Sequence, residues 1–376
     1  MNFWQLLRHE WQQIRHNRAV MLVLFGGILF YAFLYPLPYS HNVPGKQAVA
    51  VLDQNKTALS RALIRRVNAT AQVHISQPVH SMAEAQQLLT SGQAHGLLII
   101  PKSFQRDILL GTPTTLSYAG DASYFLIYGT VIEGLLSAGT TLALEMQGLR
   151  SLALKESSAP LSAQIQPIRV AVKPVFNTTG GYLNYVIPAV FVLILHQTLL
   201  ITVGGATIQD RQRRHSNSPP IGYALIARTV IFMLLYLFFA ALYFGVFFKL
   251  YGMVTVAGLL PLFTFTALFL LATILFSLLL GYLYTAAEQP ILLVLVSSLP
   301  LVFMVGFAWP VTSLPSWLDV IANAVPARHG IQGLLALNQM GAPWHLLRHT
   351  ILLLTLQCIV YAGLLAWRVA STTRQG

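Results

Sequence analysis

Residues 259–284 read LLPLFTFTALFLLATILFSLLLGYLY, a stretch with no charged side chain. A helix needs about 20 consecutive apolar residues to cross a bilayer core, so this segment predicts a membrane span. Working outward, apolar runs of similar length cover 183–206, 221–248, 289–309 and 349–367, and another covers 19–38. Together they predict six spans. The composition agrees: 55% of residues are hydrophobic and 9% are charged, against about 25% charged in ordinary soluble domains. The fold class is an α-helical polytopic membrane protein with six transmembrane helices.

Positive charge sets the expected orientation. Arg8, Arg15 and Arg18 precede the first span, Arg211, Arg213 and Arg214 lie between the second and third, and Arg368 and Arg374 follow the sixth. Six spans put all of these on one side, which the positive-inside rule assigns to the cytoplasm, with both termini. The net charge of +12 therefore reflects topology. No base-reading motif accompanies it, so nucleic acid is not an expected partner.

From Asn2 to Arg18, the residues Phe3, Leu6, Leu7, Trp11 and Ile14 fall on one helical face opposite Arg8, Gln12 and Arg15. Residues 1–18 are expected to form an amphipathic helix in the membrane interface, facing anionic headgroups of the lipid bilayer. No small-residue cleavage site follows, which argues against a signal peptide.

The first span, 19–38, ends at Pro36 and Pro38, and residues 39–182 are expected to form an extracytoplasmic α/β domain inserted between spans 1 and 2. Strand-like runs at 47–52, 71–75, 96–100 and 114–118 alternate with helical patterns at 58–67, 81–89 and 104–109. Ser81 with Glu84 three residues on forms a capping-box pattern. Residues 123–146 are apolar enough to span, but Glu133 sits mid-segment, and an extra span would put Arg211, Arg213 and Arg214 outside. They are read as part of a long helix of this domain, near 123–150. The only cysteine, Cys358, lies in an apolar run and permits no disulfide.

No phosphate-cradling Gly-x-x-x-x-Gly-Lys-Ser/Thr loop occurs; Gly45-Lys46 lacks the earlier glycine and the following hydroxyl. His9-Glu10 begins a zincin-like motif, but Gln13 stands where its second histidine belongs. His41, His74, His80 and His95 are too dispersed for a metal site. No catalytic, cofactor or metal constellation is expected, and the chain is not read as an enzyme.

Within the second span, His196 and Gln197 are costly polar residues. They mark either a substrate path or subunit interface, or an interhelical hydrogen bond worth about 1 kcal/mol. Glu288 and Gln289 fall in the turn between spans 4 and 5, where solvation explains them. After Gly306-Phe307-Ala308-Trp309-Pro310 come Leu314, Pro315, Trp317 and, after Pro326, another apolar helix. Helices too short to span predict an outer-side helical hairpin near 306–340. The remaining spans fall within 183–369, and 370–376 form a cytoplasmic tail.

This order of parts resembles the type 2 ATP-binding-cassette permeases, and within them a bacterial branch with a large periplasmic domain found in drug-efflux and secretion exporters. The resemblance rests on the amphipathic first helix, the inserted domain, the Gly-Phe-x-x-Pro…Leu-Pro hairpin, Val49-Ala50-Val51-Leu52-Asp53-Gln54-Asn55, Leu59-Ser60-Arg61, and Gly96-Leu97-Leu98-Ile99-Ile100-Pro101-Lys102-Ser103-Phe104. It implies a multi-pass permease of the bacterial inner membrane that exports a hydrophobic or amphipathic substrate. A separate soluble ATPase would hydrolyse ATP with Mg. It implies a second permease, identical or related, and a periplasmic adaptor as a further partner. Docking of the ATPase would fall to Phe3, Leu7, Arg8, Trp11 and Arg15 with Asp210, Arg211, Arg213 and Arg214.

The cytoplasmic loop departs from the family's Arg-Glu-x-Glu-x-Gly-Thr pattern. It reads Ile208-Gln209-Asp210-Arg211-Gln212-Arg213-Arg214-His215-Ser216-Asn217, without the second acid and the glycine. Altered coupling at this loop is expected, with a non-identical partner permease carrying the full motif. Two rival readings are a secondary transporter and a membrane sensor or scaffold with a ligand-binding ectodomain. The first would need carboxylates near the bilayer midplane, and the spans hold almost none.

Overall fold

A computed structural model describes residues 2–39, 45–120, 125–154, 182–214 and 218–373. The loop residues His215, Ser216 and Asn217 and the tail residue Arg374 lie outside them. The chain is mostly helical and divides into two compact units, one of Met1–Ser40 with Val175–Gly376, the other of His41–Pro174.

The smaller unit is built on β1 (Gln47–Asp53), β2 (Val73–Pro78), β3 (Gly96–Ile100) and β4 (Ser117–Gly120), ordered β2-β1-β3-β4. β1 pairs in parallel with β2 and β3, and β3 pairs antiparallel with β4. Helices α3 (Ala58–Ala69), α4 (Met82–Thr90), α5 (Phe104–Leu110) and α6 (Phe125–Leu154) complete it. Successive strand residues face opposite ways. Val49, Val51, Leu98 and Ile100 meet α3 and α6 on one face, whereas Ala50, Leu52 and Leu97 meet α4 on the other. Burial on both faces is why β1 and β3 read as nearly unbroken apolar runs. The fourth strand starts three residues later than its sequence pattern suggests, at Ser117.

α6 presents Val131, Leu135, Ala138 and Leu142 to this core, a stripe at helical spacing. Its Glu145 receives a bidentate pair from Arg66 of α3, one bond being 2.6 Å.

In the larger unit, α1 (Phe3–His16) precedes α2 (Arg18–Tyr39). Four long helices follow as α7 (Val186–Arg213), α8 (Ile221–Leu250), α9 (Leu259–Leu283) and, last in the chain, α13 (Arg348–Thr373). Between α9 and α13 come α10 (Gln289–Met304), α11 (Ser316–Asn323) and α12 (Pro326–Asn338). Both α2 and α8 contain a π-helical turn, at Leu22–Gly27 and Leu242–Phe247. α7 is the axis of the unit: 83% of its most apolar window is buried, against 22% for the last long helix.

Among the described residues six helices are long and apolar enough to cross a membrane, but they are not the six read from the sequence. Ile127–Met146, within α6, qualifies by length and composition. The expected span 289–309 does not, because α10 stops at Met304 after 16 residues. That is about 24 Å at 1.5 Å per residue, short of a core of about 30 Å. The chain leaves the helix where Gly306 adopts φ +97°, a conformation open to glycine. Gln332 of α12 donates to the Val305 carbonyl at 3.1 Å, and the Tyr185 hydroxyl donates to that of Phe307.

The two short helices α11 and α12 form the hairpin region. Arg328 pairs with Asp319 at 2.6 Å across it. α12 packs into the bundle through glycines: a side chain at Gly330 would strike the Phe269 ring, and one at Gly333 the Phe265 ring. The glycines are three residues apart and the phenylalanines four, so each pair shares one helical face.

Candidate functional site

The polar chemistry of the larger unit gathers where α1 crosses α7 and α8. Leu6, Glu10 and Ile14 form the buried edge of α1, at i, i+4 and i+8. Glu10 is thus placed among apolar neighbours, only 3% exposed. Its partner is Arg228 of α8, 1% exposed, which donates to the two carboxylate oxygens at 3.1 and 2.9 Å. The same guanidinium donates to the Thr207 hydroxyl of α7 at 3.2 Å and stands 3.5 Å from Asp210. Asp210 also pairs with Arg214 at 3.3 Å. One cation therefore ties three helices together.

Burial, the largest influence, raises the Glu10 carboxyl above its ordinary 4.5; Arg228 pulls it down and Asp210 adds to the rise. Removing one member of such a cluster leaves a buried charge uncompensated, which is far more costly than the net worth of the intact pair. Next to it, Asn17 donates to Gln209 at 2.7 Å, fixing the junction between α1 and α2 onto α7. A cleft lined by His9, Glu10, Gln13, Gln209, Asp210 and Arg213, among others, opens beside the cluster.

The residues read from the sequence as a dock are divided among several surfaces. Arg211 is turned inward: it donates to the carbonyls of Gly281 and Tyr284 at 2.8 and 2.9 Å and lies 5.0 Å over the Tyr282 ring. It thereby satisfies the C-terminal carbonyls of α9. Arg214 donates to the Pro219 carbonyl at 2.7 Å, besides pairing with Asp210. Arg213 and Arg15 are exposed, and Phe3 is half exposed. Leu7, Arg8 and Trp11 border a groove against α8.

His196 and Gln197 point apart, as neighbours on a helix must. Gln197 donates to Ser298 of α10 at 3.1 Å. His196 is fully buried and stacks on Phe269 at 6.4 Å, and neither ring nitrogen has a hydrogen-bond partner among the described residues. No group of three or more metal-ligating side chains occurs among the described residues.

Glu10 and Arg228 lie outside the residues that the sequence names for a dock. A signal existed for each. Arg228 is a lone cation inside the apolar run 221–248, and an intramembrane charge calls for a partner. Glu10 lies on the same helical face as Leu6 and Ile14.

Comparison with known proteins bears on what such an assembly serves. The chain is 22% identical over 337 residues to a probable multidrug ABC transporter permease, YbhR, of Escherichia coli K12, covering 87% of this chain and 86% of that one. The O157:H7 counterpart matches to the same extent. The family profile described as ABC-2 family transporter protein matches residues 18–367, from the start of α2 into the last turns of α13. With that span of agreement on a bundle of apolar helices, the chain belongs to the ABC-2 transporter family, as a membrane permease.

Proposed function

We propose that this chain is the permease subunit of an ABC exporter of the bacterial inner membrane, energised by a separate ATPase that docks at the α1 end of the bundle. The observation that carries the reading is the Glu10–Arg228–Asp210 cluster. It clamps α1 rigidly to α7 and α8, so a push delivered to α1 from outside reaches the spans directly. Around the clamp, Arg15 and Arg213 remain exposed and make no ion pair among the described residues. They suit a partner surface rich in carboxylates. Asp210, by contrast, is held by two arginines of its own chain, so this acid serves the fold of the permease and not the partner.

In this reading both termini and the α1 end are cytoplasmic, α10 together with the non-helical residues 305–309 makes the fifth crossing, and the sheet unit with α6 lies on the periplasmic side. The family and the multidrug description of the E. coli relative support a hydrophobic or amphipathic substrate. It would leave the cytoplasm or inner leaflet between this permease and a second one, which supplies the fuller coupling loop.

The test is to purify the tagged chain in mild detergent from its own host and identify associated proteins by mass spectrometry. A stoichiometric soluble ABC ATPase, lost on Arg15→Glu together with Arg213→Glu, is the expected result. A chain that purifies without any ATPase would transfer the assignment to a sensor or secondary carrier. ATPase stimulation by this permease alone, equal to that by the mixed pair, would remove the case for a non-identical partner.

A further inference from the structure

We propose that the groove between α1 and α8 binds a single anionic phospholipid. Its floor is Ile231, Leu234 and Leu235 of α8, its walls are Trp4, Leu7 and Trp11 of α1, and Arg8 stands among them. α1 closes tightly on the bundle along its Leu6–Glu10–Ile14 edge. On this flank it stands off, leaving Leu234 63% and Trp4 79% exposed.

The depth of the groove suits a lipid. α8 runs for 30 residues, Ile221–Leu250, about 45 Å of helix against a hydrocarbon core of about 30 Å. Part of it must therefore leave the core, and the charged Arg228, paired with Glu10, marks the emerging end. Ile231 lies three residues further in and Leu235 seven, about 5 and 10 Å along the axis. The groove thus runs from headgroup level into the upper acyl region, the depth at which tryptophan is enriched in membrane proteins.

The chemistry selects the headgroup. Arg8 makes no ion pair or hydrogen bond among the described residues, and a guanidinium is matched to two phosphate oxygens. No carboxylate lines the groove to receive the ammonium of a zwitterionic headgroup. The net charge of +12 adds to the preference for a negative lipid. An acyl chain would cover Leu234 and Leu235, with the two indole N–H groups free to donate to ester oxygens. This inference goes beyond the permease reading and does not require the ATPase dock.

The experiment is native mass spectrometry of the full chain released from nanodiscs holding equal phosphatidylglycerol and phosphatidylcholine. The expected result is one retained phosphatidylglycerol per chain. Arg8→Gln should lower that retention about tenfold, the scale of one charge-assisted contact. Leu234→Trp, which fills the floor, should lower it comparably, and Arg18→Gln, at the exposed arginine that opens α2, should leave it unchanged. Equal retention of phosphatidylcholine, an equal loss with Arg18→Gln, or no retained lipid would each overturn the site. The amount of bound ATPase, scored on the same preparations, reports separately on docking.

Discussion

The α12–α9 contact and the α1–α7–α8 junction hold helices together by opposite means. At the first, Gly330 and Gly333 admit Phe269 and Phe265 so closely that no side chain could replace the missing ones. The fit is all shape, without a charge. At the second, Arg228 binds Glu10 and Thr207 and faces Asp210, and direction is set by hydrogen bonds and charge. Between helices in a membrane, apolar burial does not discriminate, because lipid tails are as apolar as leucine. Specificity then comes from close backbone approach or from polar pairing, and this chain uses one at each place.

The largest effect should come from spoiling the shape contact. Gly333→Leu is expected to destabilise the fold by more than about 5 kcal/mol, beyond the usual range for overpacking, because a Cβ there would already lie 2.0 Å from the Phe265 ring on a central helix. Loss of monodisperse protein on size exclusion would show it, and Phe265→Ala in the same chain should restore part of the yield. Failure of that rescue would mean that the backbone approach, not the ring, is what the glycine serves.

Next comes the charged junction. Arg228→Met should cost about 3–5 kcal/mol by stranding Glu10 and Asp210. Adding Glu10→Leu should recover part of this in a thermal melt, because a buried charge is then removed and α1 gains an apolar contact. Strictly additive losses would show that the two residues do not act as a pair.

The single neutral contact should matter least among the substitutions. Ser298→Ala removes the partner of Gln197 and should shift stability by about 0.6 kcal/mol, typical of interhelical hydrogen bonds in membranes. A much larger shift, or loss of transport without loss of stability, would favour the substrate-path reading of Gln197.

A pH series refines the junction further. Because burial holds the Glu10 carboxyl above 4.5 in the folded chain, its contribution to stability is full below 4.5 and is lost as the pH rises through the raised value. The native chain should therefore lose stability relative to Glu10→Gln over that rise, measured as the difference between their melting temperatures. The opposite slope would show that attraction to Arg228 outweighs burial.

Particular residues show where legibility ended. The strand and helix pattern of the small unit is readable at 47–52 and 96–100 because both faces of each strand are buried and the apolar runs are nearly unbroken. The end of α10 is not. Residues 289–309 carry no charged side chain, and the chain leaves the helix after Met304 through Gly306, with hydrogen bonds from distant elements to the Val305 and Phe307 carbonyls. The docking set is divided among different surfaces for a similar reason. A cation beside a span reads alike whether it meets solvent, as Arg213 does, or the carbonyls of another helix, as Arg211 does.

The sequence by itself determined that this chain is a multi-helix membrane protein carrying an inserted strand-and-helix segment. Those features follow from run length, charge and local periodicity, each a property of neighbours in the chain. Only the tertiary structure decided that Glu10 is buried against Arg228, 218 residues away, and that one flank of α1 is sealed while the other stays open. A side chain's partner across the bundle depends on how helices cross, and the crossing is set by the sum of all contacts, which no local pattern records.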